Sequence, residues 1–273
     1  MTEDFRGRGI GSARLDAELL VGFALALDRV ALYMDLDRPL KEAELTRIRE
    51  LVARRRKKEP VAYILGHREF YGRRFATTPA VLIPRPDTET LIERALSLVG
   101  PDDEARMLDL CTGSGCVGIT LAAERPRLRV DMTDLSGSAL AIARANAETN
   151  GIVDGVSFYE GDLFAALPDR TAYRLITANP PYIPTHDDEK LDADILDHEP
   201  HLALFGGADG LDIVRRIVRD APEWLAEEGT LLMEIGAGQS DEVVALLRAS
   251  RVWRDVSLHR DLGGIERVVE ATR

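Results

Sequence analysis

Cysteine is scarce in this chain: Cys111 and Cys116 are the two in 273 residues. So few exclude a disulfide framework and suit a reducing compartment, and a cytoplasmic location is expected. No apolar run reaches the length of about 18 residues that a membrane-spanning helix needs. The opening Met1–Gly11 stretch lacks the hydrophobic region of a signal peptide, so export is not expected. Basic residues are in deficit, 35 against 47 acidic, which gives a net charge of −12. That balance argues against a broad grip on a nucleic-acid backbone, although a local basic patch stays open. Internal repeats and low-complexity stretches are also missing. What is present is an ordinary globular composition, 45% apolar and 30% charged, in a chain long enough for one large domain or two smaller ones.

The pattern changes character near residue 80. Leu15, Leu19, Leu20, Phe23 and Leu27 recur at helical spacing, with Ser12 as N-cap. Leu45, Ile48, Leu51 and Val52 mark a second helix, and Arg54, Arg55, Arg56, Lys57 and Lys58 at its end read as a solvated, dipole-offsetting run before Pro60. The spacing predicts a helical domain over 1–75, a connector over 76–90 and an α/β domain over 91–273. Within the last, strands are expected at Arg106–Leu110, Leu128–Thr133, Val156–Tyr159, Arg174–Ala178 and Thr230–Ile235. Helices are expected between them, including Ile213–Leu225 and Val243–Leu247. Such alternation means a mostly parallel sheet covered by helices. The final strands, near Asp255–Leu258 and Glu266–Glu270, have no helix between them and should pair antiparallel.

Ligands of an open parallel sheet bind beyond the carboxyl ends of its strands. Four features fall there. Asp109-Leu110-Cys111-Thr112-Gly113-Ser114-Gly115-Cys116 follows the first strand, where glycines let a ligand approach the backbone and a helix N-terminus offers free N–H groups. Its spacing is not that of a dinucleotide fingerprint. Asp134 ends the second strand and suits the two hydroxyls of a ribose, or else is a surface acid or helix cap. Asp162 follows the third, where it suits an adenine amino group with Leu163 beside the ring, or else is a simple turn residue. Asn179-Pro180-Pro181-Tyr182 is the sharpest feature. Its prolines fix the backbone and remove two donors, leaving an Asn oxygen and the Pro180 carbonyl to accept from a planar NH2 group that Tyr182 could stack upon.

These residues carry a resemblance. The chain resembles the class I S-adenosylmethionine-dependent methyltransferases, and more closely the bacterial glutamine methyltransferases of peptide chain release factors, the HemK/PrmC family. The supporting stretches are Glu59-Pro60-Val61-Ala62-Tyr63-Ile64-Leu65-Gly66, Arg68-Glu69-Phe70-Tyr71-Gly72, Leu82-Ile83-Pro84-Arg85-Pro86-Asp87-Thr88-Glu89, the Asn-Pro-Pro-Tyr turn, and Gly264-Ile265-Glu266-Arg267. The family usually has Gly where Cys111 stands, so the loop should still form unless that position needs a positive φ.

The resemblance implies a Rossmann-like α/β methyltransferase sheet, mostly parallel with an antiparallel last strand, behind a small helical substrate-docking domain. S-adenosylmethionine is the implied cofactor, held by Cys111, Thr112, Gly113, Ser114, Gly115, Asp134, Asp162, Leu163 and Asn179. Asn179, Pro180, Pro181 and Tyr182 are the implied catalytic residues. The implied substrate is the glutamine of the Gly-Gly-Gln motif in class I release factors, methylated at its amide nitrogen N5. No metal, membrane or direct nucleic-acid partner is expected, and the chain is expected to be a monomer. His198 and His201 lie in a segment, Glu199-Pro200-x-x-Ala-Leu, whose family counterpart does not bind metal. The interval from Ile183 to Asp209 reads as a long substrate-facing segment. The main alternative is a nucleic-acid exocyclic-amine methyltransferase of the N6-adenine type, and a second is a non-catalytic adapter.

Overall fold

A computed structural model describes residues 1–35 and 37–273, and the chain divides into two compact units. The first comprises Met1–His67 together with Leu191–His198. Its helices are α1 (Thr2–Gly7), α2 (Ala13–Leu25), α3 (Arg29–Met34), α4 (Glu42–Arg55) and α5 (Val61–Leu65). The core is built from Phe5, Ile10, Leu20, Ile48, Leu51, Val52 and Ile64, with Ala13, Ala17 and Ala24 between them. The buried face of α2 is thus an alanine face. Leu15 is 40% exposed, and Leu19, Phe23 and Leu27 are only half-buried, contrary to the leucine-led expectation.

Two further expectations change in this unit. Ser12 does hold the N-cap position, but its hydroxyl donates to Asp16 at 2.7 Å instead of capping α2. The reason is charge: Asp16 is buried beside Arg55, whose Nε donates to it at 2.7 Å. Within the basic run Arg55 departs from the solvated expectation, while Arg54, Arg56 and Lys57 are exposed. Arg55 is 4% exposed and also pairs with Asp194, while Arg54 pairs with Glu59 and Arg56 with Asp4. A buried arginine needs such partners, since an unpaired charge away from water is strongly unfavourable.

The second unit, Arg68–Lys190 with Glu199–Arg273, is the α/β part. A hairpin of β1 (His67–Phe70) and β2 (Arg73–Ala76) precedes it, and α6 (Glu89–Leu98) follows the Pro-rich connector. Then come β3 (Arg106–Leu110), α7 (Cys116–Glu124), β4 (Arg129–Asp134), α8 (Gly137–Thr149), β5 (Val156–Glu160) and β6 (Tyr173–Ala178). After them follow α9 (Asp212–Asp220), β7 (Leu225–Glu234), α10 (Ser240–Ala249), β8 (Asp255–Arg260) and β9 (Glu266–Thr272). Among the described residues the large sheet has seven strands, ordered β5-β4-β3-β6-β7-β9-β8. Pairings are parallel from β5 through β7, and β9 runs antiparallel to both neighbours. The Rossmann-like class is therefore as expected, including the antiparallel final strand. The order reverses between β3 and β6, which places the switch-point crevice at their carboxyl ends.

The remaining differences are local. The helix expected to reach Leu225 stops at Asp220, because Pro222 has no N–H to continue it and sits in a 3-10 turn. Strand β7 starts at Leu225, ahead of the expected Thr230, with a register shift opposite Tyr173/Leu175 that absorbs the Glu227-Glu228-Gly229 stretch. The long interval after the Asn-Pro-Pro-Tyr turn is broken into a 3-10 turn at Thr185–Lys190, a short helix Ala193–Leu196 and a second 3-10 turn at His201–Ala203. Ile183 bridges Phe205, closing its two ends.

Candidate active site

The carboxyl ends of β3, β4, β5 and β6 open onto a single cleft of about 1110 Å³, counted out to solvent. Its base is set by Asp109, the fourth residue of β3, which is 1% exposed. Asp109 accepts from Thr112 Oγ1 at 2.5 Å, Thr177 Oγ1 at 2.8 Å and the Gly118 N–H at 3.2 Å. Burial pushes its pKa up to about 6, against the pull of those three donors. The loop above it is bent: Cys111 has φ 55° and Gly113 φ 56°. Position 111 does need a positive φ, and cysteine is held there in a left-handed conformation that usually costs an L-residue about 1–2 kcal/mol. Burial pushes the Cys116 thiol up to about 12 and Cys111 up as well, which disfavours the thiolate form at both.

Asp134 ends β4 facing this loop. It accepts the Gly113 N–H at 2.8 Å and the Ser136 N–H at 2.9 Å, one on each oxygen. Burial raises its pKa and the backbone donors oppose the shift. A carboxylate has about four acceptor positions, so each oxygen keeps capacity for a further hydroxyl. Asp162, half exposed beyond β5, pairs through Oδ2 with Arg216 of α9 at 2.7 Å.

At the end of β6 the Asn179 side chain reaches the cleft, and its Nδ2 donates to Thr88 Oγ1 at 3.4 Å. Thr88 in turn donates to Glu234 Oε2 at 2.6 Å, and the Tyr182 hydroxyl donates to Glu234 Oε1 at 3.2 Å. Glu234 closes β7 and is 1% exposed. Burial pushes the Tyr182 phenol well above its ordinary range, with the adjacent Glu234 charge adding to the shift. The turn itself is braced by Gln239, which donates to the Tyr182 carbonyl at 2.9 Å and accepts the Gly236 N–H at 2.8 Å.

The cleft brings together most of the residues singled out from sequence. Cys111, Thr112, Gly113, Ser114, Asp134, Asp162, Leu163, Asn179 and Pro181 all line it. Gly115, Pro180 and Tyr182 do not line its wall. Gly115 serves packing, since a Cβ there would fall 2.5 Å from Ile119 Cδ1. Pro180 is buried, and Tyr182 spends its hydroxyl on Glu234. Sequence reasoning gave no role to Thr88, Glu234 or Arg216. An acid ending the apolar run Leu231-Leu232-Met233 was the available signal for Glu234. Arg85 also lines the cleft, held by Glu199, which accepts the Ile83 N–H as well. His198 turns its ring to the Lys57 carbonyl, and His201 packs edge-on against Phe205.

Comparison with known proteins bears on this geometry. The profile of the PrmC N-terminal domain matches residues 1–66, and that of the methyltransferase small domain matches residues 88–202. The release factor glutamine methyltransferase of Geobacter sulfurreducens is 45% identical over 96% of this chain and 90% of its own. The chain belongs to the release factor glutamine methyltransferase family. Another member, from Leptospira interrogans, is 41% identical over 100% of this chain and 96% of its own. A solved methyltransferase from Pyrococcus furiosus, 15% identical, superposes with a TM-score of 0.55 over 74% of this chain and 90% of that one, which is a likeness of fold. As a member of the family the chain is a methyltransferase.

Proposed function

We propose that this chain methylates the side-chain amide nitrogen N5 of the glutamine in the Gly-Gly-Gln motif of class I peptide chain release factors, with S-adenosylmethionine as methyl donor. The observation that carries the reading is the acceptor Asn179 lining the same cleft as the Asp134 loop. Relatives described as release factor glutamine methyltransferases favour it over the nucleic-acid alternative.

The residues present fit an adenosyl cofactor. Gly113 has open space where a Cβ would stand, Asp134 keeps acceptor capacity for two ribose hydroxyls, and Leu135, Ala139 and Leu163 give the cleft an apolar wall. Asp162 is suited to an amino group. When bound, S-adenosylmethionine supplies a methyl on a sulfonium, a strong leaving group. An amide nitrogen is a poor nucleophile because its lone pair is delocalised, so the chain's part is orientation and electrostatics. Asn179 Oδ1, on the cleft wall, accepts an amide N–H, aims the nitrogen and stabilises the positive charge that develops on it. The cationic product is acidic enough to lose its proton without a dedicated base. A folded protein substrate needs contacts beyond one side chain, and the helical N-terminal unit is assigned that docking role.

The test offers purified unmodified release factor, DNA and RNA in parallel with labelled S-adenosylmethionine, then maps the labelled peptide by mass spectrometry. One methyl on the Gly-Gly-Gln glutamine is the expected result. Label on nucleic acid alone would overturn the substrate, and cofactor binding without transfer would favour the adapter.

A further inference from the structure

Asn179, Thr88, Glu234 and Tyr182 form a hydrogen-bonded chain whose polarity is fixed from its buried end. An ionised carboxylate only accepts, and Glu234 receives Thr88 at 2.6 Å and Tyr182 at 3.2 Å. Thr88 has one hydroxyl proton, and Glu234 takes it. Its oxygen is then left only to accept, so the Asn179 amide must turn Nδ2 toward it, as found at 3.4 Å. An amide with its nitrogen committed there directs Oδ1 away from Thr88, to the cleft that Asn179 lines. Left alone, the terminal torsion of an asparagine has two roughly equivalent settings, and the reversed one would set an N–H2 against the substrate's N–H2.

We infer that Thr88 and Glu234 are positioning residues that lock the Asn179 amide with its oxygen offered to the substrate nitrogen. The inference rests on the reading above, in which Asn179 accepts from the glutamine amide. The polarity needs an ionised Glu234. Its pKa is raised, with burial the largest cause and the Asp87 charge adding to it, while the Thr88 bond, the Arg267 charge and the Tyr182 bond pull it back toward ionisation. Arg267 is itself held by Asp261 at 3.3 Å and Asp87 at 3.4 Å.

The signature of this arrangement is a reversal between two substitutions. Glu234→Met deprives the Thr88 hydroxyl of its acceptor, so it donates to Asn179 Oδ1 and flips the amide. Turnover should fall about 100-fold, near the loss expected for a missing positioned acceptor. Thr88→Val removes the lock without creating a wrong-way donor and should lower kcat about fivefold, the worth of one hydrogen bond. The double variant should then turn over faster than Glu234→Met alone, which a purely structural role would not produce. Thr88→Ser should match the wild type, and cofactor affinity should be unchanged throughout.

A double variant no faster than Glu234→Met, or Glu234→Met at wild-type turnover, would overturn the inference. If Glu234→Met does not fold by thermal melting, the Thr88 pair decides, and equal kcat for Thr88→Val and Thr88→Ser would overturn it. Wild-type transfer to release factor is the control. Its absence counts against the proposed function, whereas its presence with insensitive variants counts against this inference alone.

Discussion

Asp134 and Glu234 are both acids at the carboxyl ends of strands in one sheet, yet they are set up for opposite uses. Asp134, on the β3–β4–β5 side, receives backbone N–H groups at 2.8 and 2.9 Å, and its position on the cleft wall leaves acceptor capacity facing the cleft. Glu234, on the β6–β7 side, is 1% exposed and receives side-chain hydroxyls from Thr88 and Tyr182. An acid held by backbone remains available to a ligand. An acid consumed by side chains instead transmits polarity to whatever those side chains touch. The same end of a sheet can therefore hold one ligand directly and orient the receptor of another, depending only on what satisfies each carboxylate.

Several substitutions sharpen or break this contrast. The largest effect should come from the β6 side: Asn179→Ala should lose about 100- to 1000-fold in turnover by analogy with deleted oxyanion-hole donors, with the melting temperature near wild type. Steady-state kinetics at saturating cofactor check it, and near-normal turnover would sink the proposed role.

Next is the buried acid beneath the loop. The folded pKa of Asp109 is raised from 3.8 to about 6, so the folded state holds its proton more tightly than the unfolded chain does. The associated stability is present below pH 4 and is lost as pH rises to about 6, an effect on the order of 3 kcal/mol. Denaturant unfolding of the wild type and Asp109→Asn across that window should show the wild type losing ground with rising pH. A constant difference would contradict it.

Asp134→Ala should weaken cofactor binding by roughly 10- to 100-fold, the worth of hydrogen bonds to a charged acceptor, as read by calorimetric titration. An unchanged affinity would remove Asp134 from the cofactor site. The smallest effect should be Arg216→Ala. Its bond to Asp162 joins two half-exposed side chains, and such pairs contribute about 0–1 kcal/mol, so cofactor affinity should move by no more than about fivefold. A larger drop would mean that Arg216 itself contacts the cofactor.

Much of the β3–β5 side was legible because its signals are local in sequence. Glycines after a short apolar strand and an acid ending the next one mark strand ends wherever the strands pack. The Asn179 turn announced itself in the same way. Thr88 and Glu234 did not, because their bond spans 146 residues and nothing near either position names the other. Glu234 also sits inside the stretch Thr230–Ile235, where the apolar Leu231-Leu232-Met233 run marks a strand without marking a role for the acid that follows it. In the helical unit the larger leucines drew the eye, although close helix packing buried Ala13, Ala17 and Ala24 and left Leu15 outside. Arg55 looked like one of five solvated cations because its partners, Asp16 and Asp194, lie 39 and 139 residues away.

The division of labour is tested most directly by measuring cofactor dissociation constant and saturated turnover together for Asp134→Ala and Asn179→Ala. The account predicts a crossed result: Asp134→Ala loses affinity but recovers turnover at saturating cofactor, while Asn179→Ala binds cofactor near normally and fails to turn over. Parallel losses of both quantities in both variants would contradict it, and would mean that the two strand ends act as one undivided site.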